Sequence, residues 1–300
     1  MNTISALTRR NIKLFFKDKG MFFSSMITPI ILLVIYSTFL SKVYKDIFLS
    51  IIPQSLNTSD KIINALANGQ LVSSLLAVCC VTVAFCSNLI MVQDKHLGTR
   101  RDFTVSPVKS STLSLSYYLA TAANTLIVCL CAFAVCMIYT AATGWFISLK
   151  DVLLMLTDIF LLVMFGTALS SIINSFLSTQ GQMSAVGTIV SAGYGFICGA
   201  YMPMSQFGEG LRNVLSFLPG TYGTALIRNH ALNGALNKLS ELGLADEYKM
   251  QMCDAIDCNL YFFNDKVSTP VMYVILAGSC AVLIAVYVIM NFMRRNKSAG

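Results

Sequence analysis

Apolar residues run along this chain in long unbroken blocks, and charge interrupts them. No Asp, Glu, Lys or Arg occurs in residues 21–41, 62–93, 110–149, 159–208 or 267–293. A bilayer core is spanned by roughly 20 consecutive apolar residues in a helix, so these blocks predict six spans once the longest is divided. The division falls at the polar, turn-like run from Asn174 to Gln182. The predicted spans are 21–41, 71–92, 115–140, 152–173, 183–203 and 268–292. Strict alternation of apolar and polar residues, which a membrane β-barrel requires, is absent, and the blocks far exceed a barrel strand. The first block is long for a signal-peptide core and Ser41-Lys42-Val43 is no small-residue cleavage site, so it reads as a retained span.

Composition agrees. The 300 residues are 56% hydrophobic and 12% charged, with a mean hydropathy of +0.69, which a soluble domain with a solvated surface does not reach. The fold class expected is all-α and integral to the membrane. Charge sets the orientation. With the N-terminus inside, the inner segments hold twelve Lys and Arg against three acids (Asp18, Asp94 and Asp102), a net +9, and the other loops carry −2 of the total of +7. Positive-inside then places both termini in the cytoplasm, most simply at a bacterial cytoplasmic membrane.

Residues 1–20 predict an interfacial helix. Ile4, Leu7, Ile12, Leu14, Phe15 and Phe16 cover one arc, and Arg9, Arg10, Lys13 and Lys17 the other. Such a helix lies in the interface plane with its basic face toward anionic lipid headgroups. Residues 42–70 read as an outer loop. The fifth span carries Gly187, Ser191, Gly195 and Gly199 at intervals of four, a stripe on which another helix backbone can approach closely. Residues 204–267 divide into a short segment that is either an outer loop or a re-entrant pair, then one or two amphipathic helices lying outside.

Chemistry is sparse. His96 and His230 fall on opposite sides of the membrane in this topology, and no metal site is expected. No G-x-x-x-x-G-K-[ST] run occurs, so the chain binds no ATP through a P-loop of its own. Eight cysteines (Cys79, Cys80, Cys86, Cys129, Cys131, Cys136, Cys198 and Cys280) lie in or beside spans and behave as small hydrophobes. Cys253 and Cys258 lie outside and could form a disulfide, provided the chain between them is not one continuous helix. Asp158 is the one ionisable residue well inside a span, and it either reaches the outer interface or a helix N-terminus or lines a path.

The inner connection 93–110 is richer than a reversal of the chain requires. Asp94 is placed to act near a helix N-terminus, residues 95–103 can make a short helix, Gly98 permits close approach by another surface, and Ser106-Pro107 ends the element. Asp94-x-x-x-Gly98-Thr99 followed by Ser106-Pro107 resembles the E-x-x-x-G-T … P coupling segment of type-2 ABC transporter permeases. Phe196 to Gly234, with Gly199, Pro203, Pro219 and Arg228, resembles the same family's end of the fifth span and following re-entrant segment. Asp stands where the family more often has Glu, and Arg100-Arg101 add charge.

The resemblance implies a cytoplasmic coupling helix formed by Asp94, Lys95, His96, Leu97, Gly98, Thr99, Arg100, Arg101, Asp102 and Phe103. It implies an outer gate at Phe196, Gly199 and Pro203, and a translocation path assigned here to Phe85, Asn88, Ser191 and Tyr194. It further implies a cytoplasmic nucleotide-binding ATPase that holds ATP and Mg, and a second permease copy, with membrane lipid as the surroundings. No cofactor on this chain and no nucleic-acid partner are expected. The function expected is export of an amphipathic drug, peptide or lipid-linked molecule by alternating access. Two rivals are a stand-alone secondary transporter using Asp158 and a non-transporting membrane sensor or assembly component.

Overall fold

A computed structural model describes residues 3–53, 56, 58–106, 108–263 and 265–297. Helix α1 (Thr3–Lys17) is followed after one residue by α2 (Lys19–Ile35). Asp18 makes the break: its Oδ1 accepts the Met21 N–H at 3.0 Å and caps α2. Phe15, Phe16, Phe22 and Phe23 cluster around this elbow, three of their ring pairs edge to face and Phe16 tilted on Phe22. Helix α2 continues through a π-helical segment (Tyr36–Leu40) into α3 (Ser41–Ile51), giving one apolar rod of 33 residues.

The region expected as an outer loop, 42–70, is therefore mostly helical. Helix α3 continues because Tyr44 and Phe48, four apart, still bury one stripe while Lys42 and Asp46 stay exposed. Helix α4 (Asp60–His96) begins early, capped by Ser59, whose hydroxyl accepts the Lys61 N–H at 3.3 Å. It is apolar on all sides and buried along nearly its whole length, as a helix at the centre of a bundle must be.

Around α4 stand α2, α6 (Ser110–Thr143), α7 (Leu149–Phe176) and α8 (Gln180–Ile197), α12 (Thr269–Lys297) packs on α7 and α6, and between α4 and α6 in the chain lies the short α5 (Thr99–Val105). Polar contacts hold these helices where apolar surface gives no drive toward association. Asn88 donates to Ser170 and Ser171 of α7 at 3.2 and 2.9 Å, Asn124 of α6 donates to Ser87 at 2.9 Å, and Asn68 donates to Thr143 at 2.6 Å. At Gly166 a Cβ would sit 2.9 Å from the Cys80 carbonyl oxygen, so glycine allows α7 to lie on α4. Among the described residues, five helical stretches are long and apolar enough to cross a membrane: the α2–α3 rod, α4, α6, α7 and α12. The predicted span 183–203 corresponds to α8, of 18 residues.

The largest departure from expectation concerns residues 219–241. The segment expected as an amphipathic helix outside the membrane is α10 (Pro219–Glu241), and it packs inside the bundle against α4, α7 and α12. Its polar side chains are buried because each meets a partner, a pairing across the fold that hydropathy does not register. After it come α11 (Asp246–Ala255) and a two-stranded antiparallel hairpin, β1 (Leu260–Phe262) and β2 (Asp265–Val267), with Leu260 opposite Val267. A short 3-10 turn (Met204–Gln206) and α9 (Glu209–Leu215) precede α10. The bundle thus has a basic end with α1 and α5, and a far end with α9, α11 and the hairpin.

Candidate functional site

At the basic end, α4 stops because Gly98 takes a left-handed conformation, φ +80°, which a side chain would strain. Gly98, not Asp94, stands at the N-cap of α5. Asp94 belongs to the last turns of α4, and its side chain is 7% exposed. Arg10 of α1 donates to it through both terminal nitrogens, at 2.6 and 2.8 Å, and the Tyr117 hydroxyl of α6 donates at 2.5 Å. One carboxylate thereby joins α1, α4 and α6. Arg10 leaves the basic arc assigned to α1 and lies 5.2 Å over the ring of Phe103 on α5. Lys95 donates to the Ser175 and Leu177 carbonyls at 2.6 and 2.9 Å and closes the end of α7.

Of the coupling residues, His96, Leu97 and Asp102 are exposed, and Gly98, Thr99, Arg100 and Phe103 are half-buried. Leu97 is 68% exposed and Val105 89%, so the connection presents two apolar tips to its surroundings. Arg101 lies on α5 with its side chain outside the described ones, and Pro107 lies outside the described residues. No sequence signal pairs Arg10 or Tyr117 with Asp94, because the first contact closes over 84 residues and the second over 23.

Along the flank runs a groove of about 1380 Å³ between the α2–α3 rod and α8, with Cys86, Leu89 and Gln93 of α4 at its floor. Ser191 lines it, as do Gly187, Phe196 and Pro203. The other path residues lie elsewhere. Asn88 faces α7, and Phe85 is buried, its carbonyl accepting from Asn174 at 3.3 Å. Tyr194 is buried beside Gly220 of α10. The small-residue stripe divides in the same way. Gly187 and Ser191 face the groove, Gly195 receives the Tyr201 ring, and Gly199 lies beyond the end of α8 at φ +67°. The wall formed by α2 and α3, including Thr28, Phe39 and Tyr44, was not anticipated; hydropathy reports a span but not which face of it is open. Asp18 is the one side chain of formal charge among the described lining residues, and it stands at the basic end of the groove as the cap of α2.

At the far end, Arg228 of α10 is 1% exposed. It donates to the Gly199 carbonyl at 3.0 Å and the Asp257 carbonyl at 3.3 Å, with the Asp257 carboxylate 3.7 Å away. Asp257 in turn accepts the Met204 N–H at 2.7 Å. The end of α8, the 3-10 turn and the turn after α11 are thus held on one arginine. Burial raises the Asp257 carboxyl above the usual carboxylate range, against the pull of Arg228. Asp158 neither reaches the outer interface nor lines the groove. It is fully buried, with His230 Nδ1 at 2.6 Å and the Tyr273 hydroxyl donating at 2.5 Å, and it joins α7, α10 and α12.

Cys253 and Cys258 are free thiols brought together where the Cys258 N–H donates to the Cys253 carbonyl at 2.8 Å. Helix α11 ends at Ala255 and Asp257 turns left-handed, φ 57°, which supplies the break that two thiols five apart need to meet. The Cys258 side chain holds the Cys253 thiol below its ordinary 9.0, while burial pushes Cys258 well above.

A central buried helix, a connection with exposed apolar tips at one end and an open groove along one flank define a membrane-embedded transport subunit. The chain belongs to the ABC-2 type transporter family, which matches residues 2–231, from α1 to the middle of α10. It is the permease component of an ABC transporter, whose family implies an ATP-binding partner. No curated protein matches the chain.

Proposed function

We propose that this permease exports an amphipathic drug, peptide or lipid-linked molecule, and that two copies face each other across their grooves. Both termini and α5 lie in the cytoplasm, and α9, α11 and the hairpin lie outside. The groove carries this reading. It is walled on two sides by one chain and open on the third, so a second copy would complete an enclosed path between opposed α2–α3 rods and α8 helices. Its lining favours an apolar body. A bare anion meeting no Lys or Arg there would carry a desolvation cost of several kcal/mol, of the order found for an unpaired buried charge. The groove lends the carrier alternative no support, because Asp158 is enclosed between His230 and Tyr273 and does not line it.

Energy enters in this reading through α5. Leu97 and Val105 dock into the ATPase, and a push on α5 reaches α1 through Phe103 and Arg10 and reaches α4 and α6 through Asp94. The test is affinity purification of the detergent-solubilised chain from its native membrane, with partners identified by mass spectrometry. A P-loop ATPase is expected with the wild type and is lost with Leu97→Asp and Val105→Asp, while both variants elute as the parent does. An ATPase retained equally by both variants removes α5 as the docking element.

A further inference from the structure

The far end carries an apolar patch that no contact within the described chain covers. Phe262 and Phe263, at the turn of the hairpin, and Phe217, just past α9, form a three-ring cluster. The Phe217 centroid lies 5.0 Å from Phe262 and 6.0 Å from Phe263, and the two hairpin rings are 5.1 Å apart. All three stay open, at 61%, 39% and 51% for Phe217, Phe262 and Phe263. Leu211 and Val214, three residues apart on α9, extend the patch, and the charged Glu209 and Arg212 fall on the opposite arc of that helix. A short amphipathic helix in water would turn Leu211 and Val214 inward; here Leu215 is buried and those two are not.

Two features fix the depth of the patch. Val267, the last residue of β2, comes two residues before Thr269, where α12 begins. Three-residue strands reach about 10 Å, so the hairpin tip stays close to where α12 enters the bilayer. Gly220, three residues after Phe217, packs against Tyr194 of α8 and Phe165 in the middle of α7. Phe217 is therefore held beside the apolar length of α7 rather than beyond its end. Val271 and Val274, on the first turns of α12, are exposed as well. Aromatic rings concentrate at the headgroup–acyl boundary, where a flat apolar body is covered by lipid.

We infer that Leu211, Val214, Phe217, Phe262 and Phe263 form a lipid anchor inserted into the leaflet at the far end of the bundle. The anchor ties α9 and the hairpin, and through the Asp257 turn the end of α8, to the bilayer surface. The hairpin lies beyond the segment matched to the family, which ends at residue 231.

The chain has a single tryptophan, Trp145, which makes the test direct. Trp145→Phe supplies a silent background; Phe262→Trp places one reporter on the hairpin, and Val214→Trp places a second on α9 should the first fail to fold. Each full-length variant is reconstituted in nanodiscs of ordinary lipid or of lipid brominated near the top of the acyl chain. Most of the emission is expected to be lost in brominated lipid, with little quenching by aqueous iodide. Quenching by iodide and not by bromine puts the patch in water and overturns the anchor. Quenching by neither puts it between protein copies and overturns it equally.

Discussion

Asp94 is buried with one guanidinium and one phenol as its partners, so removing either leaves a charge in an apolar place. Arg10→Met is expected to cost about 3 kcal/mol, the scale for breaking a buried pair by removing one partner. The double variant Arg10→Met with Asp94→Leu should recover most of this, because the unpaired charge is gone; thermal melting in detergent reads both. A single variant as stable as the parent would show that the pair is solvated. The cysteines give a second prediction at this scale. With the Cys253 thiol below its ordinary 9.0, its thiolate persists to lower pH, so its alkylation should rise with a midpoint below 9.0. Cys258, pushed the other way and buried, should stay unlabelled until the protein unfolds. Mass mapping of iodoacetamide adducts against pH decides this, and equal labelling of the two residues would contradict it. The two pairs differ in legibility: Cys253 and Cys258 stand five apart outside the spans and read as a pair in the sequence, whereas Asp94 reads as a residue near a helix N-terminus because its partner lies in α1, 84 residues away.

Helix α10 shows how an element can be polar by composition and internal by position. Its glycines are the contact points. At Gly234 a Cβ would run into the Phe146 carbonyl oxygen, which belongs to backbone and cannot swing aside. Gly234→Ala should therefore destabilise by about 1–3 kcal/mol, the range for overpacking a filled interior. Gly187→Ala, where nothing lies within 4 Å, should leave the melting temperature unchanged or slightly raised. Equal losses at the two sites would show that α10 does not lie where described. Asp158→Asn belongs to the same interface. It weakens the tie between α7, α10 and α12, and a loss of about 1–3 kcal/mol is expected, the cost of unsatisfied buried polar groups. That loss should be the same whether or not a proton gradient is present, which separates a structural carboxylate from a carrier's proton site.

At the scale of the molecule, the groove makes a prediction about transport rather than stability. Ser191 lines it, and the Ser191 carbonyl lies 3.4 Å from the Thr28 hydroxyl across the cleft. Ser191→Trp fills the cleft with a side chain that lipid or the opposite wall can accommodate. Melting temperature and ATPase copurification should be unchanged, while transport in proteoliposomes containing the partner falls to background. Transport at the parental rate would place the path elsewhere. Phe85, Asn88 and Tyr194 cannot report on the path in this way, since each is buried between helices of one chain, and substitution there should lower stability first.

The sequence alone determined that the chain is helical and apolar enough to cross a membrane, where the basic connection 93–110 lies, and that the chain holds no P-loop run of its own. Those properties follow from local composition: long uncharged runs, clustered Lys and Arg, and the absence of a P-loop run. Tertiary structure decided which face of each helix is buried, that α10 enters the bundle, and that Asp94, Asp158 and Arg228 are paired rather than free. An apolar run reads the same on every side, and a polar residue's partner is set by contacts across tens of residues, so the placement of these side chains is a property of the packed molecule.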